Sequence, residues 1–481
     1  MSVVVTGSGL SEADVVAVAR ERVPVLLDAA VAGRLEQAAQ TLDRALAADV
    51  PVYCISVGAG ASKASSVDPG ARARFEHLLV RNSLVGQGPP AGRDAVRGTL
   101  LVAVNLLASG RAPVRIETVQ LLVDALNGDQ LPAVPVLGSL GQADLAPLSH
   151  LMSGILGDEP LAPGEAVALT STNAFATGLA ALALHDADGL LATLAATAGL
   201  AFEGFRANPS PLHPAIDRVR PYAGLRRARG DLEQALADSR LHRPGAPRNL
   251  QDPLSFRNTA HVLGAAHDAV GHARGQLAIE LNAHQSNPLV LSAEDQIVSV
   301  ANFEALPLAL ALDYARLGLA AAITSAAERV VKLLSRSHSG LPSGLRYDAR
   351  AELALEVFAT SAVALAGEAR LLAAPVSNEL PSTSLEDGIE DRMTFAPLAA
   401  RRLAEQTALG LRIAAIELIC AGEAIEIRRA SGEAVDPLGI GARRTLAFLR
   451  GHLPPVGPLG EVPVDLAPLL ADLTRGALRT R

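Results

Sequence analysis

Four stretches of this chain carry side chains that could move a proton or hold an anion. Tyr53 enters a Gly-, Ala- and Ser-rich segment, residues 51–70. A phenol can give or take a proton, and a loop of small residues buries little apolar surface and can move as a lid. By residue type alone, such a tyrosine is more often structural than catalytic. Arg257 closes Gln251-Asp252-Pro253-Leu254-Ser255-Phe256-Arg257; its guanidinium suits a carboxylate bidentately, or serves as an ordinary ion-pairing group at a helix start. Glu386, Asp387, Glu390 and Asp391 form an acidic cluster, readable as an acid/base site or as a solvated loop. The fourth stretch is Gly138-Ser139-Leu140-Gly141-Gln142-Ala143-Asp144-Leu145-Ala146-Pro147-Leu148-Ser149-His150.

These residues need a scaffold, and the composition points to a helical one. Of 481 residues, 49% are hydrophobic but only 3% aromatic, and Ala and Leu dominate, which favours helices over sheets. Residues 11–48 read as two amphipathic helices with Ser11 as N-cap and Glu12 and Asp14 in the first turn. Residues 97–107, 116–126 and 166–184 read as further helices, the last carrying Thr170-Ser171-Thr172-Asn173 within it. Prolines 209, 211, 214 and 221 break up residues 200–248, predicting a surface excursion whose basic cluster, 218–229, is a solvated face or a subunit contact. From residue 262 onward, long segments (262–281, 307–334, 349–374 and 396–429) place apolar residues at i, i+3 and i+4 on broad faces, as in a buried bundle. The expected organisation is an N-terminal mixed helical and loop domain over 1–200, a central long-helix bundle over 201–430, and a short helical tail over 431–481.

Several function classes are disfavoured. The net charge is −8 and no Lys/Arg run is present, so nucleic acid is not an expected partner. Two cysteines, Cys54 and Cys420, fit a reducing cytosol rather than a disulfide framework. The first twenty residues do not read as a signal peptide, and no apolar run reads as long and uncharged enough to span a bilayer, giving an expectation of a soluble, cytoplasmic protein without a membrane partner. The eleven histidines show no metal-ligand spacing, and no phosphate-binding glycine loop or Gly-x-Ser-x-Gly elbow is present.

The loop 134–150 resembles the signature loop of the histidine and phenylalanine ammonia-lyase family. Gly138-Ser139-Leu140-Gly141 matches its left arm and Asp144-Leu145-Ala146-Pro147-Leu148-Ser149-His150 its right arm. Between the arms the family has Ala-Ser-Gly, which cyclises and loses water to give the methylidene-imidazolone electrophile MIO. This chain has Gln142-Ala143, one residue short, with neither a hydroxyl to eliminate nor a glycine nitrogen to close the ring. The resemblance continues in order through Tyr53, Gln251 to Arg257, Asn282 to Val290, Asn302-Phe303-Glu304 and Glu390-Asp391. It implies an all-α fold of the fumarase/aspartase-like superfamily, a homotetramer with sites built from three chains, and the following roles. Tyr53 moves a proton, Glu390 contacts the amine or acts as acid/base, and Arg257 binds the substrate carboxylate. Ser83, Ser171, Asn287 and Phe303 occupy substrate-contacting positions, although Ser83 replaces the histidine of histidine lyases and Ser171 the asparagine that touches the electrophile. Leu254 replaces the family's second tyrosine, Glu304 the histidine of Asn-Phe-His, and Arg392 a further histidine. The serine loop of fumarase and aspartase themselves, Gly-Ser-Ser-x-Met-Pro, is absent.

Two functions follow from this pattern. One is an ammonia-lyase-like enzyme without MIO or any other cofactor, catalysing elimination, addition or a related proton transfer on a small amino-acid-like or carboxylate substrate. The other is a catalytically inactive homologue that binds a metabolite or a partner protein. Retention of Tyr53 with Arg257 favours the first, and Gln142-Ala143 with Leu254 the second.

Overall fold

The computed structural model describes residues 2–347, 355–377, 385–457, 463 and 465–479. Helices dominate, and among the described residues the strands form three two-stranded sheets, with a few isolated bridges besides. The chain groups into two units, neither a continuous stretch: Met1–His185, Ala273–Asp313 and Pro375–Arg401 form the first, and Asp186–His272, Tyr314–Ala374 and Arg402–Arg481 the second. The sequence-expected boundaries at 200 and 430 do not coincide with this grouping. Four of the five junctions fall inside the helices Ala174–Phe205, Thr259–Glu280, Leu306–Leu334 and Ala396–Ala430, so a linear reading of composition has no linker to detect.

In the first unit, Val3–Val5 pairs in parallel with Val25–Leu27. Between them runs the helix Glu12–Arg20, started by a capping box in which Ser11 and Asp14 bond each other's backbone N–H, as Ser at the N-cap and an acid at N3 dictate. The helix Arg93–Ala108 is buried along nearly its whole length. Its buried arginine, Arg97, donates to the carbonyls of Val18 and Leu126, at 2.9 and 2.8 Å, and to Asp129. Gly178 packs against this helix so closely that a Cβ would lie 2.7 Å from the Thr99 nitrogen, a contact that only glycine allows. Asn105 takes the structural role expected of it, donating to the Leu281 carbonyl at 2.9 Å. The antiparallel pair Leu289–Leu291 and Gln296–Val298 completes the unit's small sheets, with Gln87–Pro90 against Pro135–Leu137.

The second unit is built on long helices around buried charge. Glu417 is fully buried, pairs with the equally buried Arg329 and accepts from Thr197 Oγ1 at 2.7 Å. Phe256 stacks on Phe205 with ring centroids 4.1 Å apart. Two of the five arginines of the basic cluster form ion pairs: Arg229 bonds Asp217 and Glu233, and Arg227 pairs with Asp188 at 3.0 Å. The expected helix over 349–374 is seen as Glu356–Leu371, with residues 349–354 outside the described set.

Two segments contradict the expectation that nothing here could span a bilayer. Glu165–Phe205 and Leu306–Leu334 are both long and apolar enough. In the first, 89% of the apolar window is buried within the protein, so its composition is that of a helix enclosed by protein on all sides.

Glu203 generates a testable pH dependence. Burial pushes its carboxyl up to about 7, against bonds from Ser239 and from the Gly439 N–H at 2.7 Å that favour the ionised form. An unfolded glutamate titrates near 4.3. Folding therefore favours the protonated group: its contribution to stability is complete below about pH 4.3 and is lost as pH rises toward 7. Glu203→Gln, which keeps an acceptor for Gly439, should flatten this part of the profile. Melting temperatures of the two proteins between pH 5 and 8 should converge at the acid end, with the variant relatively more stable at neutral pH.

Candidate functional site

The loop 138–144 is held from three directions. From the segment 385–395, the N–H groups of Thr394 and Phe395 donate to the Leu140 carbonyl at 3.1 and 2.8 Å, and Thr394 Oγ1 donates to the Gly141 carbonyl at 2.7 Å. From within the loop, Ser139 Oγ donates to Asp144 Oδ1 at 2.6 Å and accepts from Gly141 N. From the start of the following long helix, the Ala176 N–H donates to Asp144 Oδ2 at 2.8 Å, while Asp144 N donates to the Thr172 carbonyl. Asp144 is completely buried, and burial pushes its carboxyl up to about 6 even against these bonds. Ala143 sits at φ +61°, a left-handed conformation that glycine adopts freely and alanine does not.

The stretch 170–173 does not continue a helix as its apolar surroundings suggest. One helix ends at Thr170 and the next begins at Ala174, and the break turns Asn173 toward the loop. Its Oδ1 accepts from Ala143 N at 3.1 Å, its Nδ2 donates to the Phe303 carbonyl at 2.6 Å, and its backbone N–H donates to Gln285 Oε1 at 3.0 Å. Asn173 is thus spent on the loop rather than on Ser171. A buried amide satisfied on both ends fixes its neighbours firmly, because each bond broken would leave an unpaired polar atom.

Gln142 faces Glu304. Their backbones form an isolated antiparallel bridge, and Gln142 Nε2 donates to Glu304 Oε2 at 2.9 Å. The other carboxylate oxygen accepts from Leu306 N at 3.2 Å, and Arg392 Nε lies 3.5 Å from Oε2. Three positions at which the sequence departs from the family pattern therefore touch one another.

The lid and the acidic cluster also meet. Gly60 N donates to the Tyr53 hydroxyl at 3.1 Å, and Ala61 N donates to Glu386 Oε2 at 3.1 Å. Leu385 and Glu390 form a tight antiparallel bridge that returns Glu390 toward the lid. Burial raises the Tyr53 hydroxyl to about 12, aided by the neighbouring Cys54 thiol and the charge of Glu390. Burial, then the charge of Glu386, also raises the Glu390 carboxyl. Tyr53 consequently holds its proton at neutral pH in this arrangement.

The remaining expected residues are more dispersed. Ser83 caps the helix Arg72–Asn82, and its hydroxyl bonds the Leu79 carbonyl at 3.1 Å. Asn287 Oδ1 accepts from Val300 N at 2.9 Å. Phe303 contributes its carbonyl to Asn173, and Ser171 closes the short helix before the break. Arg257 and Leu254 belong to the second unit, on the short helix Leu254–Arg257, where Arg257 bonds Gln251 and Leu254 is exposed. Among the described residues no group of three His, Cys, Asp or Glu could hold a metal ion.

A model of the aromatic amino acid lyase family matches residues 10–161 and 159–450. The chain belongs to this family. A histidine ammonia-lyase of Symbiobacterium thermophilum is 32% identical over 452 residues, covering 89% of this chain and 88% of that protein. Among solved structures, the ergothioneine-degrading enzyme ergothionase of Treponema denticola superposes with a TM-score of 0.90 at 25% identity, covering 99% of this chain and 98% of that one. A tyrosine aminomutase of Streptomyces globisporus gives the same TM-score at 27% identity and the same coverage. The fold is accordingly that of the fumarase/aspartase-like superfamily, and the family's names span more than one reaction on one scaffold.

Sequence reasoning noted Glu304 and Arg392 only as replacements and did not assign them, Glu386, Gln285 or Thr394 to the site. The available signal was joint substitution: Gln142, Glu304 and Arg392 all depart from one family pattern. Thr394, Gln285 and Glu386 offered no such signal. The network around Asn173 makes a direct prediction. Asn173→Ala orphans Ala143 N and the Phe303 carbonyl and should cost about 1–3 kcal/mol by denaturant titration, with faster proteolysis within residues 138–144.

Proposed function

We propose that this family member is an enzyme that works without MIO. It would eliminate from, add to, or otherwise transfer a proton on a small amino-acid-like or carboxylate substrate. The observation that carries the reading is the assembly of Tyr53, Glu386 and Glu390 at the lid beside a loop whose central residues, Gln142 and Ala143, offer no hydroxyl for dehydration. That loop does not fit the family's cofactor, and the chemistry falls to the chain's own side chains. The resemblance assigns the substrate carboxylate to Arg257 and the amine to Glu390, and the proposal keeps both assignments. It also keeps the homotetramer and the cytoplasmic location.

In the elimination direction, Tyr53 as phenolate removes a proton from the carbon next to the one bearing nitrogen. The released pair forms the carbon–carbon double bond, and the carbon–nitrogen pair leaves with nitrogen. Without an electrophile to activate nitrogen, this requires a leaving group or proton that is already activated. Ergothionase and the aminomutase show by name that close structural relatives act on substrates other than free histidine.

Three measurements check this. The intact mass should equal that of the unmodified chain, and loss of two waters would overturn the MIO-free reading. The wild type should consume a compound from an extract of small metabolites that Tyr53→Phe leaves untouched. Because the Tyr53 hydroxyl is raised to about 12, wild-type turnover should increase with pH through the neutral and mildly alkaline range as the phenolate fraction grows. Enrichment of a compound that neither protein consumes would instead identify a binding protein.

A further inference from the structure

Gln142 stands where the family pattern places an electrophile and is bonded to Glu304, and an electrophile and a carboxylate demand opposite charge states of a substrate nitrogen. An electrophile is attacked by the lone pair of a neutral amine. A carboxylate and an amide carbonyl hold a nitrogen as a cation, through N–H donation or through charge alone. We propose that Glu304, oriented by Gln142, is a specificity-determining residue that holds the substrate nitrogen in its cationic form. This rests on the reading of the site as an amino-acid pocket, and it names the substrate class: compounds with a protonated or quaternary nitrogen beside a carboxylate.

The geometry supports this at three points. The bond from Gln142 Nε2 to Glu304 fixes the amide's orientation, because a carboxylate can only accept; the amide's own acceptor, Oε1, is therefore turned away from Glu304. Glu304 is held by its bond from Leu306 N and by the backbone bridge to Gln142, so it is set in place before a ligand arrives. Its side chain is 31% exposed and Arg392, its ion-pair partner at 3.5 Å, is 50% exposed. A pair that long and that wet contributes little and leaves most of the carboxylate's charge available. Glu390, on the same segment as Arg392, adds negative charge from the lid side. A cation bound among these groups would also lower the Tyr53 hydroxyl from its raised value, favouring the phenolate only when substrate is present.

The test is titration calorimetry on the full-length protein with two probe series, built on histidine and on phenylalanine. Each series comprises the amino acid, its Nα-trimethyl form and the deaminated acid. The expected result is that the cationic members of at least one series bind about tenfold or more tightly than the deaminated acid. Affinity for the primary amine should fall as pH rises through that amine's own pKa, while the trimethyl form, which cannot lose its charge, stays level. Glu304→Gln should remove the preference for cations and leave the deaminated acid's affinity unchanged; Gln142→Leu should weaken the preference in part. Circular dichroism checks that both variants fold. Equal binding of acid and cation, tighter binding of the primary amine at high pH, or an unchanged preference in Glu304→Gln would overturn the proposal while leaving the pocket reading standing. If no member of either series binds, the pocket reading itself falls, and the proposal with it.

Discussion

The clasp between Leu140-Gly141 and Thr394-Phe395 is the constraint on which the candidate site depends. Two backbone N–H groups converge on one carbonyl and a threonine hydroxyl reaches the next, all at segments remote in sequence. Burial makes these bonds expensive to lose. The segment running back from the clasp carries Arg392 to Glu304, Glu390 to the neighbourhood of Tyr53, and Glu386 to the lid backbone. Displacing the clasp would move the three side chains together, because they share one short run of backbone.

The first unit divides its ionisable groups by what surrounds them. Asp144 is enclosed by donors that belong to the loop and the following helix, and it serves the scaffold. Glu390 and Tyr53 are only partly enclosed, and what raises their pKa values is partial burial combined with neighbouring negative charge. Groups in that intermediate setting respond to the arrival of a charged ligand, whereas fully enclosed ones do not.

Much of the helical scaffold was legible in the sequence because its signals are local. Ser11 followed by Asp14 is a capping pattern, and the apolar faces of the long helices repeat over many turns. The helix break at residues 171–173 was not legible. There Asn173 accepts from Ala143 N, thirty positions away, a relation that no short-range rule contains. The two-unit grouping was hidden for a related reason: the junctions lie within continuous helices, where composition does not change. The apolar segment ending at Phe205 was misjudged because full burial and membrane insertion demand the same residues. In the candidate site, identities such as Tyr53 and Glu390 were readable from motifs. The joining of Gln142, Glu304 and Arg392 was not, because it is a relation among three distant segments.

That joining couples three positions energetically. Replacing Gln142-Ala143 alone with the family's tripeptide would take away Glu304's amide donor and leave its carboxylate to the Leu306 N–H and the more exposed Arg392. Changing Glu304 alone would orphan Gln142. Residues in one hydrogen-bonded network are strongly non-additive, so the three positions behave as one coupled unit, and a change at one is fully tolerated only when the others change with it.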